Sequence, residues 1–291
     1  MINDLRTLRL DGVDMLISRS DDLVEIRDPR NNRLISSHRS HGINRLAVCE
    51  PGWRDPLVAV TTDDGLRWLD PRTGPTADAT DESPLIGATA TWAGTLLAAS
   101  PAEPFPMLRW DAGTGARLEP LGVHADQISA LAVLDLPDGP VICAGDRSGT
   151  IHRWNPRTGA RAGDPLTVGD EQITAIAGVR LPDGRQLITA ATADLHRWDA
   201  ATGEPIGVPM VVDSYAVHRI DPVAVDGRTE LITSGHDEVV QRWDAATGER
   251  LGDPLPGRCA TVFYRYGELT LAIGTAQGTV ELRPLGTWTR S

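Results

Sequence analysis

The sequence predicts an all-β chain of repeated, antiparallel four-stranded units, and three observations carry that prediction. The first is a recurring phrase: residues 195–211 read LHRWDAATGEPIGVPMV and residues 240–256 read VQRWDAATGERLGDPLP. Residues 151–167 (IHRWNPRTGARAGDPLT) and 107–122 (MLRWDAGTGARLEPLG) are further copies. The second is the turn chemistry inside each copy. Asp or Asn after the Trp can accept hydrogen bonds from the backbone ahead of it, Pro or Ala starts the bend, and the Gly after Thr is free to take positive φ. Each copy therefore reads as strand, tight turn, strand. The third is a cadence of turn glycines, Gly12, Gly52, Gly94, Gly139, Gly184, Gly227 and Gly267, spaced by 40, 42, 45, 45, 43 and 40 residues. Each lies between two β-like runs, so seven units follow. A four-stranded unit cannot bury both faces alone, so copies must stack, and strongly twisted sheets stack radially. The expected architecture is a seven-bladed β-propeller.

Each blade has strand a before the glycine turn, strand b after it, strand c ending at the Trp position, and strand d beyond the Thr-Gly turn. The blades span about 1–38, 39–80, 81–123, 124–167, 168–211, 212–256 and 257–291, in one domain without linker or low-complexity run. Blade 1 has strands at 4–10, 13–18, 23–28 and 33–37, with Arg27 in the Trp position. Blade 2 has Leu69 there with Trp68 shifted by one, and its strand d dissolves into the acidic stretch 75–84. Blade 3 carries Trp110 and an unusual b–c connection, SPAEPFP at 100–106, holding Phe105 between two prolines. Blades 4, 5 and 6 carry Trp154, Trp198 and Trp243. Blade 7 has Arg283 in that position, and residues 286–290 must supply its strand d or the blade stays short. Pro165, Pro209 and Pro254 remove ladder donors from outer strands and so protect exposed edges.

Composition narrows the function classes. Forty acidic residues against 28 basic ones, all Arg, give a net charge of −12. Such a chain repels phosphate backbones, which argues against nucleic acid and anionic membrane as partners. The Arg-only, Ala- and Asp-rich vocabulary points to a bacterial source. Cys49, Cys143 and Cys259 are far apart and odd in number, as expected of buried reduced thiols. Charges interrupt the first residues where a signal peptide needs an apolar core, and no apolar run approaches the ~20 residues of a membrane span. A soluble, cytoplasmic monomer is expected.

No nucleophile elbow, phosphate loop, H-E-x-x-H or dinucleotide fingerprint occurs. His38 and His41 lack the further ligands a zinc site needs, so no metal and no cofactor are expected. The segment GHDE, residues 235–238, reads as a solvated turn capped by its Asp. Arg109, Arg153, Arg197 and Arg242 each precede the Trp. Alternation along the strand puts Arg and Trp on opposite faces, so the Arg stem can lie against one neighbouring blade while the Trp packs on the other.

A strand ending in Trp-Asp at a 40 to 45 residue period resembles the WD40 repeat family, over the whole chain, and the RWDAATGE/GDPL phrasing resembles its bacterial members. Family repeats carry a Gly-His before strand a and an Asp in the b–c turn, which join the Trp in a buried network. Here His124 best matches the first and Asp237 the second, in different blades. The resemblance implies a non-catalytic protein-interaction scaffold or sensor that meets a protein partner on the rim where the b–c and d–a loops emerge. Those loops hold Arg39, His41, Asp64, Phe105, His124, Asp146, Arg147, Glu171, Tyr215, His236, Asp237 and Arg258. Bacterial repeats of this kind commonly accompany an effector domain, and this chain carries none. The alternative is a hydrolase or lyase with its site at the mouth of the central channel.

Overall fold

The computed structural model describes residues 1–50, 55–76, 89–100, 103–122, 124–212 and 217–287. Blade 1 is β1 (Asp4–Leu10), β2 (Val13–Arg19), β3 (Leu23–Asp28) and β4 (Arg33–Arg39). Blade 2 is β5 (Ile43–Cys49), β6 (Leu57–Thr62), β7 (Gly65–Asp70) and β8 (Gly74–Pro75). Blade 3 is β9 (Thr89–Trp92), β10 (Thr95–Ala99), β11 (Met107–Asp111) and β12 (Arg117–Leu118). Blade 4 is β13 (Ile128–Leu136), β14 (Gly139–Asp146), β15 (Thr150–Trp154) and β16 (Leu166–Thr167). Blade 5 is β17 (Ala175–Arg180), β18 (Gln186–Ala191) and β19 (Leu195–Asp199). Blade 6 is β20 (Val217–Val225), β21 (Arg228–Gly235), β22 (Val239–Asp244) and β23 (Arg250–Pro256). Blade 7 is β24 (Cys259–Arg265), β25 (Glu268–Gly274) and β26 (Val280–Pro284). Every sheet is an antiparallel meander in chain order, and the fold is the predicted all-β, seven-bladed β-propeller.

Two blades depart from the four-strand plan. In blade 5 the outer edge of β19 meets only isolated bridges, Leu195 to Met210 and Trp198 to Pro205, because Gly207 and Pro209 interrupt a regular ladder. In blade 7 the expected fourth strand is replaced at its start by a 3₁₀ turn, Leu285–Thr287, with Leu285 buried; residues 288–290 lie outside those described. Gly52 and most of the acidic stretch of blade 2 also lie outside them.

The turns form for the reasons the sequence supplies. Asp11-Gly12, Ala93-Gly94, Asp226-Gly227 and Tyr266-Gly267 have positive φ at both residues, the two-residue hairpin geometry whose twist matches the flanking strands. Between strands c and d, the carboxylate of Asp199 accepts from the backbone N–H of Ala201 and Thr202, both at 3.0 Å, and Asp244 from Ala246 and Thr247, both at 2.9 Å. Asp70 and Asn155 repeat the arrangement. These side chains satisfy donors that the bend takes out of the ladder.

The described residues form two compact units, Met1–Val123 with Cys259–Thr287, and His124–Arg258. In the first, β24, β1, β5 and β9 lie side by side, so blade 7 packs on blade 1; in the second, β13, β17 and β20 do. Within each unit the Trp faces the preceding blade. Trp110 packs with Ala59 and Leu66 of blade 2, Trp198 with Ala132 and Ile151 of blade 4, and Trp243 with Ala177 and Leu195 of blade 5.

The residue before the Trp faces the other way. Arg197 donates to the carbonyls of Ala245, Ala246 and Thr247, in the c–d turn of blade 6, at 3.0, 2.9 and 3.3 Å. Arg153 reaches the Ala200 carbonyl in the same turn of blade 5 at 3.4 Å. Gly248 leaves room for this: a Cβ there would lie 2.7 Å from an Arg197 nitrogen, and its φ of +81° already disfavours a side chain. Blade 2 shows the rule by substitution. Its one-residue shift puts Leu69 against blade 1 and Trp68 against blade 3, beside Ala112 in the corresponding turn. An indole there does by packing what the guanidinium does by hydrogen bonding.

Arg197→Ala removes three hydrogen bonds from the blade 6 turn, one of them to the buried Ala245, and is expected to destabilise the protein by about 2–3 kcal/mol. Arg109, half-buried and bonded to the Glu119 carbonyl of its own blade, is expected to cost about 1 kcal/mol or less as Ala. Urea unfolding of both variants checks the difference, and equal losses would contradict the assignment.

Candidate functional site

The b–c and d–a loops of each unit emerge on the side opposite the turns just described. In the second unit they are tied to one another. The Ile173 N–H donates to the Asp146 carbonyl at 3.0 Å, the Ala193 N–H to the Glu171 carboxylate at 3.2 Å, and the Gly257 N–H to the Glu238 carbonyl at 2.7 Å. Val212 donates to the Asp194 carboxylate at 3.4 Å. Gly149 permits the closest approach, since a Cβ there would collide with the Gly169 carbonyl. This rim is therefore held in shape by its own backbone, with Arg147, Glu171, Asp237 and Glu238 exposed on it.

Two residue clusters sit in this rim. On blade 6 the rings of His218 and His236 meet edge to face at 3.9 Å, Arg258 lies 3.2 Å from His236 Nδ1, and Glu238 lies 3.9 Å from Arg258. On blade 4, His124 is 4% exposed, with its ring centroid 5.3 Å from both His152 and Trp154. Asp146, also buried, lies 3.9 Å from His152 and accepts from the backbone N–H of Ser148 and Thr150. The carboxylate of this cluster, Asp146, thus faces His152 of the same blade. Asp237, in the b–c turn of blade 6, is exposed and accepts from the Val239 N–H at 3.4 Å. Asp146 is fixed by serving as the bend of its own turn, a role that D-R-S-G-T spells as readily as G-H-D-E does.

Burial holds the His124 imidazole down to about 4, and the neighbouring His152 and Arg161 add like charge. His152 is lowered by burial and by Arg161, against the pull of Asp146. Neither ring nitrogen of His124 has a hydrogen-bond partner among the described residues. Among those residues no group of three or more His, Cys, Asp or Glu is placed to hold a metal ion.

The first unit presents a rim of its own. Arg39 pairs with Asp22 at 3.1 Å, Asn3 donates to Asp21 at 2.7 Å, and Asn44 donates to Asp63 at 3.0 Å. His41 and Asp64 are exposed beside them. Phe105 is half-buried at φ +55°, a left-handed conformation that costs a bulky residue energy. Tyr215 lies outside the described residues. Sequence reasoning did not name Asp22, Asp63 and Asp194, in the b–c turns of blades 1, 2 and 5. Cys49, Cys143 and Cys259 are free and buried, and burial pushes the Cys49 and Cys143 thiols up to about 12. No helix of the described residues is long and apolar enough to cross a membrane.

No family model matches the chain, and no curated protein matches it. Solved structures do. The crystal structure of the computationally designed Ika8 protein aligns at a TM-score of 0.66 over 98% of this chain and 96% of that one, with 16% sequence identity. Because 1487 solved chains match, the likeness defines a β-propeller fold and no activity.

The low His124 value sets a pH dependence. A folded-state value below that of the unfolded chain means the unfolded state binds more protons between about 4 and 6.5, so stability is full above that window and falls as pH drops through it. Replacing His124 by Phe is expected to flatten this limb, reducing the loss in melting temperature between neutral and mildly acid pH by roughly 2–5 °C. Thermal melts at a series of pH values check it, and an unchanged acid limb would count against a neutral buried His124.

Proposed function

We propose that this chain is a WD40-type propeller of bacterial kind that acts as a non-catalytic protein-interaction scaffold, meeting its partner through the b–c and d–a loops. The single observation that carries this reading is the tied rim of the second unit. Loops braced by backbone hydrogen bonds lose little further entropy on binding, and their exposed charges give orientation and specificity to a partner surface. Supporting the repeat type are the Trp-Asp and Trp-Asn strand ends, whose Asp or Asn side chains close the following turn. The three buried free thiols suit a reducing, cytoplasmic setting.

The test is recovery of protein partners by the purified chain from its source cells. A rim variant, Arg147→Glu with Asp237→Arg, is compared with a variant reversed on the opposite side, Arg157→Glu with Glu204→Arg. All four residues are exposed, so both variants are expected to melt like the parent. Partner recovered by the parent and the opposite-side variant but reduced at least about tenfold by the rim variant is the expected result. Equal recovery by both variants would remove the rim from the interaction.

A further inference from the structure

Among the described residues the His124 ring is held in blade 4 by packing alone. The titratable and charged groups that face it are His152, Asp146 and Arg161, with the Trp154 indole packed beside them. All three are committed elsewhere. Arg161 lies 4.5 Å over the Trp154 ring and donates to His152 Nδ1, which leaves His152 Nε2 to face Asp146 at 3.9 Å. One Asp146 oxygen accepts from the Ser148 hydroxyl and from the N–H groups of Ser148 and Thr150. Asp126, two residues along from His124, turns its carboxylate to the Gln127 N–H at 2.6 Å. A neutral imidazole can keep its place by packing. An imidazolium is a cation with two donors, and here it meets a buried site, a guanidinium of like charge and no acceptor aimed at it.

The segment that His124 begins is also tied to the rim, since the Gln127 carbonyl accepts from the Arg147 N–H at 3.2 Å and so joins the lead-in of β13 to the b–c turn. We propose that His124 is an acid-operated latch: when it takes a proton, residues 124–127 lift away from blade 4 and release the Arg147 turn while the strands of the blade stay paired. Burial holds His124 down to about 4, against about 6.5 once the segment is open, so the open fraction is expected to rise about twentyfold from pH 7 to pH 5. Arg147 stands on the proposed partner surface, so acid loosens that surface only if the rim reading holds; the opening itself does not depend on that reading.

Native-state amide exchange, corrected for the intrinsic effect of pH, tests it. After that correction the Arg147 amide is expected to exchange about twentyfold faster at pH 5 than at pH 7, at a rate indifferent to about 1 M urea, because a local opening exposes little surface. Amides of the β17–β18 ladder, which open with the whole unit, are expected to speed up in the same urea. His124→Phe keeps a ring in the site without the titration and is expected to hold the Arg147 rate within about twofold across that pH range. An Arg147 amide that follows the ladder in urea, one that shows no acid response in the parent chain, or an acid response that His124→Phe retains would each overturn the proposal. The first two are read on the parent chain and need no substitution.

Discussion

The contact on which the second unit depends is the one that Arg153 and Arg197, each preceding a Trp, make with the c–d turn of the next blade, whereas Arg242 pairs with Glu230 of its own blade. Arg197 shows it most fully, with three carbonyls of the blade 6 turn around one guanidinium in a site where the residue is 6% exposed. Each partner shapes the other. The Asp244 side chain fixes the turn so that its carbonyls face one way, and the planar guanidinium offers donors in a fixed fork that can use several of them. Burying that charge lowers the Arg197 pKa, so the hydrogen bonds must offset a real desolvation cost. Trp on one face and Arg on the other make strand c the joint between neighbouring blades, and Trp68 in blade 2 shows that an aromatic ring can occupy the same place.

The loops at the opposite end of the blades have a different task. They brace one another through backbone groups, as Asp146 with Ile173 and Glu238 with Gly257 do, while their charged side chains remain in solvent. A rim of this kind is rigid without being buried, which is the property a protein-binding surface requires. The one buried polar cluster within it, His124 with His152 and Asp146, stays neutral at its centre because water is excluded. Its place is inside the blade, away from solvent.

Much of this was legible in the sequence because it is local. The four strands of blade 1 fall within two residues of the positions that alternation and turn residues indicate. The c–d turns follow from Asp and Asn bonding two and three residues ahead, and the orientation of Trp against Arg follows from strand alternation. What escaped notice depends on separation along the chain. Arg197 finds its carbonyls 48 to 50 residues away, and nothing in RWDAATGE announces that the turn of one copy is the acceptor for the Arg of the copy before. The gathering of His124, His152 and Asp146 in one buried cluster joins residues up to 28 positions apart, which no local pattern announces. Blade 5's irregular edge escaped notice because weak outer strands carry little periodicity to read.

The most direct measurement is a double-mutant cycle between Arg197→Ala and Asp244→Ala, read by urea unfolding. The two side chains belong to different blades, and the cycle asks whether the turn that one builds is the acceptor that the other uses. Losses that fall short of additive by about 1 kcal/mol or more are the predicted outcome, since a turn no longer held in shape gives the guanidinium less to bind. Strict additivity would contradict the account, leaving Arg197 and the blade 6 turn as neighbours without mutual dependence.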